Sequence, residues 1–359
     1  MPQIVRGALD IGSGQHKLLI GLVDTASRRI VQKLRTEQAQ VRLGQALLQN
    51  SEGALDSAVL ARSRSVLTSF REIGEEAGVS EWCGVCTAVF RRANNGDAYL
   101  DSANAELDLN LQIIPQQLEG EIGFLSAASG LDDASDTTRL VAWDSGSGSF
   151  QLSSKGADGE LLVWEGPVGD ADVSKLLIRD VQGATFDGSS SGTRPSPNPV
   201  SRAHAEQLVR LLDQALPPAP KWLTEMSSSS ASARPLDGSG GSGSGDAAAG
   251  STTLPILVGI GEKTSPFAVA SNLIGSNEFG AEEVWQAVES CLGRSDEELR
   301  KSFDGLDEEE DLALPKLLLL HTMLTRRLTP SLGVKRLREQ RTMGSCEGVL
   351  LCDPLWKQC

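Results

Sequence analysis

One five-residue pattern occurs twice in this chain, as Asp10-Ile11-Gly12-Ser13-Gly14 and as Asp144-Ser145-Gly146-Ser147-Gly148. Apolar residues precede each copy (Gly7-Ala8-Leu9 and Leu140-Val141-Ala142-Trp143), and a strand-like run follows each, over 17–23 and 150–153. The pattern therefore reads as strand, acid, glycine-serine turn, strand, once in each half. A turn poor in Cβ atoms lets backbone N–H groups converge on an anion. An acid at the strand end is placed to hold a metal ion that neutralises that anion. Two unrelated surface hairpins are the plainer reading of either copy alone. Matched flanks on both copies favour a phosphate-binding cleft between two related domains.

A length of 359 residues suits two domains of ordinary size. The formal net charge of −15 argues against nucleic-acid binding, which wants a basic face. A polyanionic substrate would then need metal ions or local basic patches. The first strand begins within a few residues of Met1 with no charged-then-apolar leader, and no apolar run approaches the ~20 residues that span a bilayer. The expectation is a cytoplasmic protein without a membrane partner. Six cysteines (83, 86, 291, 346, 352 and 359) read as free thiols in that setting. Cys83-Gly84-Val85-Cys86 has the spacing of half a metal or redox site. No second pair or nearby histidine completes it, and a buried strand position is the simpler reading.

Along the chain, residues 7–24 read as a hairpin, and 41–44 as the end of another strand. Apolar residues at 55, 59, 60, 66, 67, 70 and 73 have helical spacing. Residues 83–90 read as a buried strand, 97–107 as a helix with Asp97 as cap, 111–115 as a strand and 119–128 as a helix. The second half restarts with strands at 139–143, 150–154 and 161–165, then helices at 173–181 and 201–216. A strand at 254–261 and helices at 281–292 and 315–328 follow. This alternation predicts an α/β chain. Residues 187–199 and 226–253 are too rich in Gly, Ser, Ala and Pro to bury a core, and the second stretch reads as a disordered insertion inside one domain.

The order of these segments resembles the exopolyphosphatase/guanosine pentaphosphate phosphohydrolase (Ppx/GppA) family. Residues 8–13 look like its first phosphate loop, and Val41-Arg42-Leu43-Gly44-Gln45 like its following strand-and-turn signature. Thr87-Ala88-Val89-Phe90-Arg91-Arg92-Ala93-Asn94 is similar to its threonine-arginine-asparagine motif. Ile113-Ile114-Pro115-Gln116-Gln117-Leu118-Glu119-Gly120 resembles the segment with the catalytic glutamate. Residues 141–149 look like the second loop, and segments at 197–201, 258–261 and 344–350 fall where similar family segments lie. The resemblance implies two ribonuclease H-like domains of the actin, sugar kinase and Hsp70 type, facing a central cleft. The first would be residues 1–128 and the second residues 129–359. Departures are visible: Gly14-Gln15 replace asparagine-serine, and Ser145 and Ser147 replace an apolar residue and a glycine. Ser147 adds a Cβ where backbone approaches phosphate, and also a hydroxyl that can donate.

The resemblance makes Glu119 the base that activates water; from spacing alone it reads as a helix-N-terminal acid in favourable contact with the dipole. Asp144 and Asp10 are candidate ligands of Mg2+ or Mn2+, or else turn formers. Arg91 suits phosphate oxygens through its planar fork, and equally a solvated position; Arg92 reads as surface. Gly12, Ser13 and Gly14 would cradle phosphate with Gly146, Ser147, Gly148 and Ser149. The acidic run 304–311 reads as solvated, and the basic residues between 326 and 341 as surface or as a track for a phosphate chain. The leading expectation is a Mg2+-dependent exopolyphosphatase acting on polyphosphate or another polyphosphorylated small substrate. Alternatives are a guanosine pentaphosphate (pppGpp) phosphohydrolase and a non-catalytic phosphate or nucleotide sensor. With one tyrosine and eight phenylalanines, the chain offers few rings to stack on a base. An oligomer is compatible with the sequence, which gives no sign of its size.

Overall fold

A computed structural model describes residues 3–131, 134–185, 196–231, 254–303, 306 and 309–356. The expectations for residues 187–195, for 232–253, for Cys359 and for four positions of the acidic run lie outside the described residues, whereas 226–231, expected at the start of the disordered insertion, continue the helix Lys221–Ala231.

Two sheets repeat one plan. The first contains β1 (Gln3–Ile11), β2 (Gln15–Asp24), β3 (Arg29–Gln40), β4 (Glu81–Cys86) and β5 (Leu111–Ile113), in the order β3-β2-β1-β4-β5. The second contains β6 (Leu140–Ser145), β7 (Phe150–Lys155), β8 (Leu161–Gly166), β9 (Ile256–Gly261), β10 (Glu278–Phe279) and β11 (Leu337–Arg341), in the order β10-β11-β9-β6-β7-β8. Each begins as an antiparallel meander, β1-β2-β3 or β6-β7-β8. Each then continues from its first strand into parallel neighbours, β4 and β5 or β9 and β11. The duplication is the one the repeated motif implies, and its arrangement is the ribonuclease H-like one that the resemblance implies. Asp10 and Asp144 occupy equivalent places near the carboxyl ends of β1 and β6, the edge where ligands bind in parallel sheets.

Helix formation follows the apolar spacing. In the helix Ser57–Glu76, Val59, Ser63, Leu67, Phe70 and Gly74 turn inward, and Asp56 caps the start by accepting from the Val59 N–H. The helix Gln116–Ala128 lies between the sheets, touching β6, β7, β8 and β9 on one side. On its other side it meets the helix Cys346–Leu351, whose Cys346, Val349 and Leu350 bury themselves with Ala8, Leu19 and Val85 of the first sheet. The C-terminal residues thus return to the first lobe. The two helices cross closely at Gly348, where a Cβ would lie 1.9 Å from the Ile122 carbonyl oxygen. Among the described residues no helix is long and apolar enough to cross a membrane. The five described cysteines are buried and form no disulfide with one another.

Several sequence expectations shift. Residues 41–44 do not end a strand: β3 closes at Gln40, and Leu43 opens a short helix to Gln49. The strand expected over 83–90 ends at Cys86, and Ala88–Arg92 is helical. Asp97 is not the cap of its helix, which starts at Gly96 after Asn95. The helix expected from Pro315 starts earlier, at Glu310, and carries Pro315 inside it. The described part of the acidic run is not solvated: Glu309, Glu310 and Asp311 are buried.

Candidate active site

A cleft of about 760 Å³, including its open mouth, runs between the lobes. Both glycine-serine turns line it, from Gly12 to Gly14 and from Gly146 to Ser149, with Asp10, Asp144 and Glu119. The turns face one another at close range. A Cβ on Gly14 would stand 3.1 Å from the Ser147 Oγ, and one on Gly148 would stand 3.3 Å from the Ser13 Oγ. Each turn is closed by one amide, Gly12 N–H to Gln15 O at 2.9 Å and Gly146 N–H to Ser149 O at 3.0 Å. The N–H groups of Ser13, Gly14, Ser147 and Gly148 donate to no acceptor among the described residues. Such amides suit an anion. The second turn is braced from behind: Asp170 and Ala171 N–H groups donate to the Gly146 and Ser147 carbonyls. Only glycine fits at 169, where a Cβ would lie 2.1 Å from the Ser147 carbonyl carbon.

Two aspartates from separate lobes meet at one residue. The Ser345 N–H donates to Asp10 Oδ2 at 3.2 Å, and the Ser345 hydroxyl donates to Asp144 Oδ2 at 3.3 Å. Burial, reinforced by the Asp10 charge, pushes the Asp144 carboxyl up to about 6, against the pull of Lys17 and Ser345. The Lys17 ammonium stands 3.5 Å from Asp10. Burial pushes Lys17 down, but Asp10, Glu262 and Asp144 together hold it above the ordinary lysine value.

Glu119 is buried at the first turn of its helix. Arg91 donates to Glu119 Oε2 at 2.8 Å and to the Ile114 carbonyl at 2.9 Å. Burial pushes the Glu119 carboxyl up to about 8; Arg91 opposes this, and the charges of Asp144 and Asp10 add to it. Arg91 itself does not line the cleft; it holds Glu119 from behind. Arg92, read as surface, instead reaches the second turn, donating to Gly148 O at 2.6 Å and approaching Asp172 at 3.6 Å.

Sequence reasoning gave no role to several other lining residues. Lys316 is buried, donates 2.6 Å bonds to Thr264 O and Glu309 Oε2, and lies 3.7 Å from Asp170. A lysine interrupting the apolar run 312–320 was the available signal. Glu262 accepts from the Thr264 N–H at 2.6 Å and from its hydroxyl at 2.5 Å. Ser345 lies in the segment 344–350 that resembles a family segment, but the sequence assigned it no role. Six carboxylates (Asp10, Glu119, Asp144, Asp170, Glu262 and Glu309) and two ammoniums (Lys17 and Lys316) line the cleft, a formal surplus of four negative charges. None of the basic residues between 326 and 341 lines it. Arg327 pairs with Asp213, Arg336 with Glu283 and Arg341 with Glu339.

The residues fit a hard cation. Asp10 and Asp144 offer oxygens, and the buried Ser145 Oγ beside them has no hydrogen-bond partner. Among the described residues no group of three or more His, Cys, Asp and Glu side chains is arranged around a metal. One or two carboxylates, with water and phosphate oxygens completing the shell, is what Mg2+ commonly takes.

The Ppx/GppA phosphatase family model matches residues 22–161. No curated protein sequence matches the chain. Among similar solved structures, an exopolyphosphatase-like protein gives a TM-score of 0.70 at 14% identity, covering 100% of this chain and 99% of that one. The Aquifex aeolicus Ppx/GppA family member gives 0.66 at 16% identity over 100% of both chains. An exopolyphosphatase from Cytophaga hutchinsonii gives 0.66 at 16% identity, covering 96% of each. At such identities the likeness is one of fold. The resemblance read from the sequence is thereby shown: over residues 22–161 the chain carries the sequence pattern of the Ppx/GppA phosphatases, and its two lobes have the fold of that family's solved structures.

Proposed function

We propose that the protein releases terminal orthophosphate from inorganic polyphosphate by magnesium-assisted attack of water. One observation carries this reading. Glu119 opens onto the gap where the amides of Ser13, Gly14, Ser147 and Gly148 converge with no protein acceptor. Phosphoryl transfer needs little covalent chemistry from a protein, only positioning, a base and charge neutralisation. In this reading the turn amides hold the terminal phosphoryl group, Glu119 takes a proton from the attacking water, and Arg91 fixes the carboxylate's position. Asp10 and Asp144 would hold Mg2+, which supplies positive charge to the phosphate oxygens when bound. The negative surplus of the cleft supports that need, because a bare polyanion would be repelled. Among the described residues no aromatic side chain lines the cleft. That supports a bare phosphate chain over a substrate containing a base, such as pppGpp. Buried cysteines outside any disulfide are compatible with the cytoplasm as the setting.

A second reading has its own support. The Ser147 hydroxyl projects toward Gly14, into the gap between the turns, as a sensor that binds phosphate without cleaving it would tolerate. Phosphate release from polyphosphate and from pppGpp, each with Mg2+, with Mn2+ and with excess EDTA, separates the readings. The expected result is release from polyphosphate that EDTA abolishes. Equal release in EDTA contradicts the metal assignment, and binding of both substrates with turnover of neither favours the sensor.

A further inference from the structure

A second cavity, of about 480 Å³ with its opening, adjoins the cleft and shares Ser13, Gly14, Ser147 and Glu309 with it. Its other walls include Gln40, Arg42, Gln45 and Ser174. Arg42 is held there by force of backbone. Its φ is 62°, left-handed and uncommon for a residue with a side chain. Its N–H donates to the Gly14 carbonyl at 2.7 Å, which ties this conformation to the first glycine-serine turn. Strain of this kind costs on the order of 1–3 kcal/mol and collects where a side chain must be aimed.

The arginine so aimed has nothing to hold. Its buried Nε lacks a hydrogen-bond partner, and the side chain makes no hydrogen bond or ion pair among the described residues. Its two counterparts near the turns are both engaged, Arg91 with Glu119 and Arg92 with Gly148. The neighbouring carboxylate Glu309 does not draw it in, because Glu309 already accepts from Gln40 Nε2 at 2.7 Å and from Lys316 Nζ at 2.6 Å. A planar guanidinium with free donors matches the bidentate geometry of phosphate oxygens. A buried donor without an acceptor is itself unfavourable, and a ligand oxygen would satisfy it. Asp311 also lines this cavity, so the anion here would arrive with its cations.

We propose that this side cavity is a second anion subsite, in which Arg42 takes the phosphates that follow the terminal one, so that the substrate chain crosses the facing turns. The subsite deepens the hydrolase reading and rests on it for the direction in which the chain lies. It makes the site prefer long phosphate chains over short ones, with Arg42 as the discriminating residue.

The test measures equilibrium binding of a long polyphosphate and of tripolyphosphate, with Mg2+ present, to the wild type, Arg42→Gln and Arg42→Gly. Phosphate release from both chains is followed in parallel. Arg42→Gly removes the side chain while relieving the positive φ, so its melting temperature is expected to equal or exceed that of the wild type. Both variants are expected to bind the long chain at least tenfold more weakly, with a clearly smaller factor for tripolyphosphate. Equal long-chain binding in wild type and variants, or the same factor for both lengths, overturns the subsite. A wild type that binds long chains in an Arg42-dependent way without cleaving them keeps the subsite and removes the hydrolase. A wild type that binds no phosphate chain at all overturns both.

Discussion

Glu119→Gln is expected to slow phosphate release by about 10²–10⁴-fold, the usual contribution of a positioned base, while making the protein more stable in alkaline solution. The two effects share one cause. Burial, only partly offset by Arg91, pushes the Glu119 carboxyl up from an ordinary 4.5 to about 8. The folded protein therefore holds this proton more tightly than the unfolded chain does. The stability it contributes is full below about 4.5 and is lost as the pH rises through 8. Glutamine keeps the shape and the oxygen that accepts from Arg91, but never ionises. Measured without divalent cations, the stability advantage of the variant should grow between pH 5 and pH 9 to a few kcal/mol, since each pKa unit is worth about 1.4 kcal/mol. Denaturant melts at a series of pH values check the stability arm, and phosphate release with Mg2+ checks the catalytic one. Unchanged turnover removes Glu119 as the base. Parallel melts across the pH range contradict a buried, hard-to-ionise carboxylate.

Lys316→Met should be among the most destabilising single changes in the chain, by about 3–5 kcal/mol. The lysine is 2% exposed and its Nζ sits between Glu309, Asp170 and the Thr264 carbonyl. Burial alone would push its ammonium down, but Glu309 and Asp170 hold it above the ordinary value. Methionine fills the space and leaves two buried acids facing each other in a cleft that already carries a negative surplus. Lowering the pH should restore part of the loss, because protonating those acids removes their repulsion. Urea melts of wild type and variant at pH 5 and pH 8 read both effects. A loss below about 1 kcal/mol at pH 8 contradicts the assigned role, as does a loss that is larger at pH 5.

The duplicated architecture was legible because its signal is local and repeated. Asp10 to Gly14 and Asp144 to Gly148 each sit in a hairpin whose flanking residues alternate toward a core, and the topology repeats with them. Of the strand β3 only the end was anticipated, and it was placed at 41–44 instead of at Gln40. This is an edge strand with most of its residues exposed, Val31 and Leu34 among them, so it shows no apolar alternation that would set it apart from a loop. The acidic run misled for the opposite reason. Solvation is the ordinary fate of such a run, and only tertiary partners, Lys316 for Glu309 and Arg300 for Glu310, draw these residues inside. Arg91 and Glu119 are 28 residues apart and were both singled out, but their mutual bond depends on a strand, a turn and two helix ends that no spacing rule encodes. Ser345 lies more than two hundred residues from either aspartate it touches. Its role follows from the return of the C-terminal helix to the first sheet.

A crystal soaked with Mg2+ and orthophosphate tests the central claim most directly. Phosphate is expected between the facing turns, within hydrogen-bond reach of the Ser13, Gly14, Ser147 and Gly148 amides, with the metal on Asp10 and Asp144 and with Glu119 opposite. Phosphate bound away from both turns, with these amides still without an acceptor, would contradict the account.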